Sequence, residues 1–148
     1  MNQAATWIVA TVTALFASAA WADEAPMQPD AATSPYQVLV FWASWCGRCD
    51  TVLKDMETLQ SDDALSGAAI KAVNLGDGAS AREALARKGG DRLQLVVDGQ
   101  ALADRLQVKA LPWVVVVNQS GEPVYEPSRQ APPSQVARYV QMDLSLRL

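Results

Sequence analysis

The sequence contains no histidine. Its absence removes the commonest general base and the commonest metal ligand together. Ser-His-Asp and Cys-His hydrolases are excluded by composition, and so is a copper site of the Cys-Cys-His kind. Cysteine is scarce, with two in 148 residues, so a framework of several structural disulfides is excluded. There is no basic excess either: 12 Lys and Arg face 16 Asp and Glu, for a net charge of −4. A nucleic-acid-binding face would need the opposite balance, and no nucleic-acid partner is expected. The charges are mixed rather than blocked, as on a solvated surface.

Charged side chains are missing altogether from Met1 to Ala22. Within that stretch Ile8 to Ala20 is an apolar, Ala-rich run, and Ala20-Trp21-Ala22 has the small-x-small form of a cleavage site. The run is shorter than the ~20 apolar residues a membrane-spanning helix needs. Residues 1–22 are therefore expected to be a signal peptide, with an uncleaved N-terminal anchor as the alternative. Membrane association is expected only in that second case. Both readings put the remainder outside the cytoplasm. Residues 23–35 carry Pro26, Pro29 and Pro35 among small and polar residues and read as a flexible lead-in. Residues 36–148 are one domain in length, and half of the whole chain is apolar, enough for an ordinary core.

In that domain, Tyr36 to Trp42 (YQVLVFW) is a continuous run of β-formers, suited to a strand buried on both faces. After Cys46 the period changes. Val52, Leu53, Met56 and Leu59 share one helical face, while Asp50, Lys54, Asp55 and Glu57 fall away from it. Ala68 to Leu75 predicts a second strand. Ser80-Ala81-Arg82-Glu83 has a capping-box pattern and Gly89-Gly90 a stop, so Ser80 to Lys88 predicts a helix. On that helix Arg82, Arg87 and Lys88 read as a solvated face. Leu93 to Val97 predicts a third strand, and Asp98 a cap for a helix through Ala101, Leu102, Arg105 and Leu106. Trp113 to Asn118 and Pro123 to Tyr125 predict a hairpin. Ser134 to Leu144 predicts a last helix, through Val136, Tyr139, Val140 and Leu144. Strands alternating with helices and ending in a hairpin define an α/β protein.

The chemistry-bearing constellation is Trp45-Cys46-Gly47-Arg48-Cys49. Cys46 and Cys49 stand at a strand-to-helix turn and can close a small disulfide. The unpaired N–H groups of a helix start stabilise a thiolate on the first sulfur. The second, one turn on, is placed to attack a mixed disulfide formed by the first. Cys46 is thus the expected nucleophile and Cys49 the resolving thiol. Arg48, beside Gly47, adds a positive charge that favours the Cys46 thiolate. The alternative is half of a zinc site, but structural zinc takes four ligands and the chain has neither a second Cys pair nor a His. No metal and no cofactor are expected.

The segment VLVFWASWCGRC, Val38 to Cys49, resembles the active-site strand and turn of the thioredoxin superfamily. Ala110-Leu111-Pro112 before a strand resembles its cis-proline loop. The block from Ala68 to Asp104 resembles the strand–helix insert of the periplasmic TlpA/ResA-like branch. The resemblance covers Tyr36 to about Leu144. It implies a thioredoxin fold, a central mixed β-sheet with helices on both faces, and a redox-active Cys46–Cys49 disulfide. It also implies a docking surface for protein substrates at Trp45, Leu111 and Pro112. Trp42 is expected to be packed, and Trp113 is open to either reading. Three departures stand out. Val40 occupies the position of thioredoxin's buried carboxylate, Val52 that of the branch's glutamate, and the dipeptide between the cysteines is Gly-Arg rather than X-Pro.

The resulting expectation is a thiol–disulfide oxidoreductase acting on exported proteins, running as a reductase. Its partners would be protein thiols or disulfides, together with a separate electron donor or acceptor protein. A disulfide oxidase or isomerase is the alternative, favoured by Arg48. A non-enzymatic binding module built on the same fold is a third reading.

Overall fold

The computed structural model describes residues 34–148. The expected signal peptide and all of the lead-in up to residue 33 lie outside the described residues. The element order is β1 (Tyr36–Trp42), α1 (Cys49–Gln60), β2 (Ala68–Asn74), α2 (Ala81–Arg87), β3 (Gln94–Val96), α3 (Gln100–Arg105), β4 (Trp113–Asn118), β5 (Pro123–Tyr125) and α4 (Pro133–Arg147). The five strands form one sheet in the order β3-β2-β1-β4-β5. β1 pairs in parallel with β2, and β2 with β3, while β4 runs antiparallel to both β1 and β5.

The central position of β1 explains its unbroken apolar sequence. Val38, Val40 and Trp42 face one layer of helices, and Leu39 and Phe41 the other. The first layer holds α1, α2 and α4 through Val52, Leu53, Met56, Ala84, Leu85, Val136, Val140 and Leu144. The second holds α3 through Leu102, Ala103 and Leu106. Leu53 and Met56 are wholly buried, each contributing about 2 kcal/mol by removal from water. That burial fixes α1 against the sheet, and with it the turn that carries both cysteines.

Local signals are overridden at several points. The capping box at Ser80 does not form. Ser80 is already helical (φ −86°, ψ −2°), and its Oγ donates to the Asp77 carbonyl at 2.8 Å in a 3-10 turn over Gly78–Ser80. Asp98 does not cap α3. It takes φ +56°, and Gly99 stands at the cap instead, donating its N–H to the Asn74 carbonyl at 3.0 Å. A Cβ at Gly99 would lie 2.3 Å from Val73 Cγ1, so only glycine lets the chain pass so near β2. On α3, Ala101 and Arg105 face outward and Ala103 inward, and on α4 Tyr139 is exposed while Val136, Val140 and Leu144 are buried. Lys88 does not lie on a solvated face: it is buried, while Arg82 and Arg87 are exposed.

Candidate active site

The turn from Ala43 to Arg48 joins β1 to α1. The Cys46 N–H donates to the Ala43 carbonyl at 3.2 Å, and the Cys49 N–H to the Cys46 carbonyl at 3.2 Å. Arg48 is the cap residue of α1 and Cys49 its first residue. Cys46 therefore stands one turn ahead of the helix, where unpaired N–H groups point. The two are joined as a disulfide with their Cα atoms 5.4 Å apart. In this oxidised state both cysteines are buried. Cys46 keeps 6% of its surface, and Cys49 keeps none.

On the solvent side, Trp45 is 75% exposed, which is unusual for so large an apolar side chain in a folded surface. A groove of about 170 Å³ is lined by Arg48 from the same turn and by Leu111, Pro112, Trp113, Ser128 and Val136 among others. The Leu111–Pro112 peptide bond is cis. Trp42 is fully buried, and Trp113 is nearly so, with the Arg129 guanidinium over its ring at 5.4 Å. The Val114 N–H donates to Ser128 Oγ at 2.8 Å, tying the far wall of the groove to β4. Gly47 is exposed and has open space where a Cβ would stand. The structure thus gathers Trp45, Cys46, Gly47, Arg48 and Cys49 in one turn, with the groove joining Arg48 to Leu111 and Pro112.

Behind the disulfide the site is apolar. Val40 sits opposite Ala72 in the β1–β2 register, both are fully buried, and both belong to the cluster that includes the two cysteines. Val52 is fully buried as well. Neither position where a carboxylate would be expected offers a titratable group.

Charge enters from another direction, which the sequence reading missed. The Lys88 Nζ donates to the Cys46 carbonyl at 3.0 Å and to Asp50 Oδ1 at 2.6 Å. A signal for this was present: Ala81, Ala84, Leu85 and Lys88 fall on one helical stripe, and the first three are core. On the next loop Asp77 accepts from the Ser44 N–H at 2.7 Å, from the Ser44 hydroxyl, and from Asn74 Nδ2 at 2.6 Å. Partial burial pushes the Asp77 carboxyl up, but these hydrogen bonds and the Lys88 charge outweigh it and hold the group below the ordinary carboxylate range. Among the described residues no cluster of three or more Cys, Asp or Glu is disposed to hold a metal ion.

Strand–turn–helix, disulfide and groove define a thioredoxin-fold protein. The family model described as the thioredoxin-like domain matches residues 27–141, and the chain belongs to that family. Family and C-x-x-C chemistry together make it a thiol–disulfide oxidoreductase. No curated protein sequence matches it significantly. Among solved structures it is similar to the thioredoxin domain of a thiol-disulfide oxidoreductase from Bacteroides vulgatus, at 13% identity and a TM-score of 0.61, over 76% of this chain and 81% of that one. It is similar also to StoA from Bacillus subtilis, at 18% identity and a TM-score of 0.56, over 73% and 84% of the two chains. A secreted disulfide oxidoreductase of Mycobacterium tuberculosis shares 17% identity and a TM-score of 0.56, over 76% and 85%. At such identities these likenesses establish the fold.

Proposed function

We propose that the protein is a periplasmic reductase of disulfides in exported proteins, related to the TlpA/ResA-like branch. The observation that carries this reading is the Cys46–Cys49 disulfide held in one turn with the exposed Trp45 and with Arg48, which lines the groove at Leu111 and Pro112. An exposed indole and a groove of only about 170 Å³ suit a protein substrate rather than an enclosed small molecule. In the reaction, the Cys46 thiolate attacks one sulfur of the substrate disulfide, forming a mixed disulfide and releasing one substrate thiolate. Cys49, after losing its proton, attacks the Cys46 sulfur and releases the second. The substrate gains two electrons, and the Cys46–Cys49 disulfide is restored. A dithiol protein must then reduce it for another cycle. Export is supported by the charge-free stretch from Met1 to Ala22, with cleavage placed after Ala22.

Reduction of insulin disulfides driven by dithiothreitol tests the activity. The parent should accelerate it, and the Cys46→Ser variant should not. Mixed disulfides should accumulate on the Cys49→Ser variant; stable adducts on Cys46→Ser alone would reverse the roles. N-terminal sequencing of the exported form should begin at Asp23.

A second reading, oxidase or isomerase, is favoured by the cations Arg48 and Lys88 beside the disulfide. Positive charge stabilises the thiolate, hence the reduced form. The reduction potential decides: near about −270 mV it marks a reductase, near about −120 mV an oxidase.

A further inference from the structure

The site has no titratable group behind it at Val40, Ala72 or Val52, yet a buried ammonium reaches it from a helix 42 residues further along the chain. Resting on the reading of Cys46 as the attacking thiol, we infer that Lys88 and Asp50 form a charge pair that sets the thiolate stability of Cys46, with Lys88 as a positioning residue of the active-site turn.

Three observations support this. First, Lys88 Nζ binds the Cys46 carbonyl itself, the same oxygen that accepts from the Cys49 N–H. A carbonyl oxygen has two lone pairs, so the two donors fill both and hold the turn between the cysteines. Second, the Lys88 side chain is only 11% exposed, against 44% for Asp50. Its charge therefore acts more through protein, where Coulomb interactions are several-fold stronger than in water. Arg48, by contrast, is exposed. Third, the surroundings of Lys88 fix the sign of its effect. Facing it are Asp50 from α1 and Asp77 from the loop after β2. The stem of Lys54, also on α1, crosses Gly89 next to it. Arg48 is the remaining cation of the turn.

From this census the two halves of the ion pair must act in opposite senses. Removing the Lys88 ammonium takes away a cation and also leaves the Asp50 and Asp77 carboxylates uncompensated beside the cysteines. Both changes disfavour a Cys46 thiolate. Removing the Asp50 charge leaves the Lys88 ammonium opposed by Asp77 alone, which favours the thiolate. A purely structural salt bridge would behave differently, since loss of either partner would loosen the same turn in the same way.

The test uses the full chain reduced with dithiothreitol, with the rate of Cys46 alkylation by iodoacetamide followed against pH. Lys88→Met should raise the midpoint by about one pH unit, and Asp50→Asn should lower it. The equilibrium with glutathione should move with it, toward the disulfide by about tenfold in Lys88→Met, equivalent to ~30 mV for two electrons, and away from it in Asp50→Asn. Midpoints that move in the same direction in both variants, or in neither, would overturn the inference. If Lys88→Met does not fold, Asp50→Asn decides alone: a lowered midpoint supports the pair, and an unchanged or raised one sinks it. None of these readouts needs a protein substrate, so they are separate from failure of the insulin assay.

Discussion

Ser44 gives both its backbone N–H and its hydroxyl to a single carboxylate, that of Asp77, 33 residues further along the chain. Ser44 lies in the active-site turn and Asp77 in the loop leaving β2, so one side chain fastens the front of the site to the second strand. Asn74 completes the arrangement, donating Nδ2 to Asp77 and accepting the Asp77 N–H at 3.0 Å on Oδ1.

The Asp77→Asn variant should therefore be less stable than the parent by about 1 kcal/mol near neutral pH, the scale of hydrogen bonds to a charged acceptor that is partly open to water. The folded-state carboxyl lies below its unfolded value. Its contribution is then present above about pH 3.9 and lost as the pH falls through the lower, folded-state value. Urea denaturation at a series of pH values should show the gap between variant and parent closing on the acid side. A gap independent of pH would assign the effect to shape and not to charge.

Two glycines should respond in opposite ways to the same substitution. At Gly99 an added methyl meets Val73 Cγ1 at 2.3 Å and the Asn74 carbonyl at 3.0 Å. Gly99→Ala should cost about 1–3 kcal/mol, as overpacking does. At Gly47 nothing stands within 4 Å, and Gly47→Ala should stay within about 0.5 kcal/mol of the parent. Denaturation midpoints of the two variants check this directly.

Trp45 should matter to protein substrates and not to the fold. With three quarters of its surface in water, Trp45→Ala removes little buried area. It should leave the melting temperature nearly unchanged while raising KM for reduced or oxidised proteins. Its reaction with dithiothreitol, which needs no docking surface, should keep the parent rate. A parallel loss with both reagents would mean that Trp45 shapes the disulfide and not the docking.

Arg48 should act weakly and through solvent. The screening length falls from about 10 Å at 0.1 M salt to about 3 Å at 1 M. A small rise of the Cys46 midpoint in Arg48→Gln should thus vanish at high salt, whereas the effect of Lys88, mostly enclosed, should persist. Alkylation profiles at the two ionic strengths separate the cations.

Much of this architecture was legible in residue order. YQVLVFW names a strand covered on both faces, and the spacing of Val52, Leu53, Met56 and Leu59 names the buried side of α1, because both are consequences of local period. The Cys46–Cys49 pair was legible for the same reason. Ser80 and Asp98 misled because a cap depends on backbone angles: the Ser80 hydroxyl is engaged with the Asp77 carbonyl in the 3-10 turn just before α2, and the chain at Gly99 passes close against Val73. Lys88 misled for a different reason. Its charge suggested solvent, while its stripe with Ala81, Ala84 and Leu85 pointed inward, and the resolution of that conflict required Asp50 and the Cys46 carbonyl, both far away in sequence.

The outermost strands carry a consequence of their own. β3 and β5 are three residues each, and β5 begins with Pro123, which has no N–H to offer. The long strands β1, β2 and β4 are all enclosed between neighbours. An unfolded chain lying against either margin of the sheet finds too few free backbone groups to continue it. On the proposed reading, a partner held through one sulfur is not drawn into the sheet as a further strand, and it should depart when that sulfur is released.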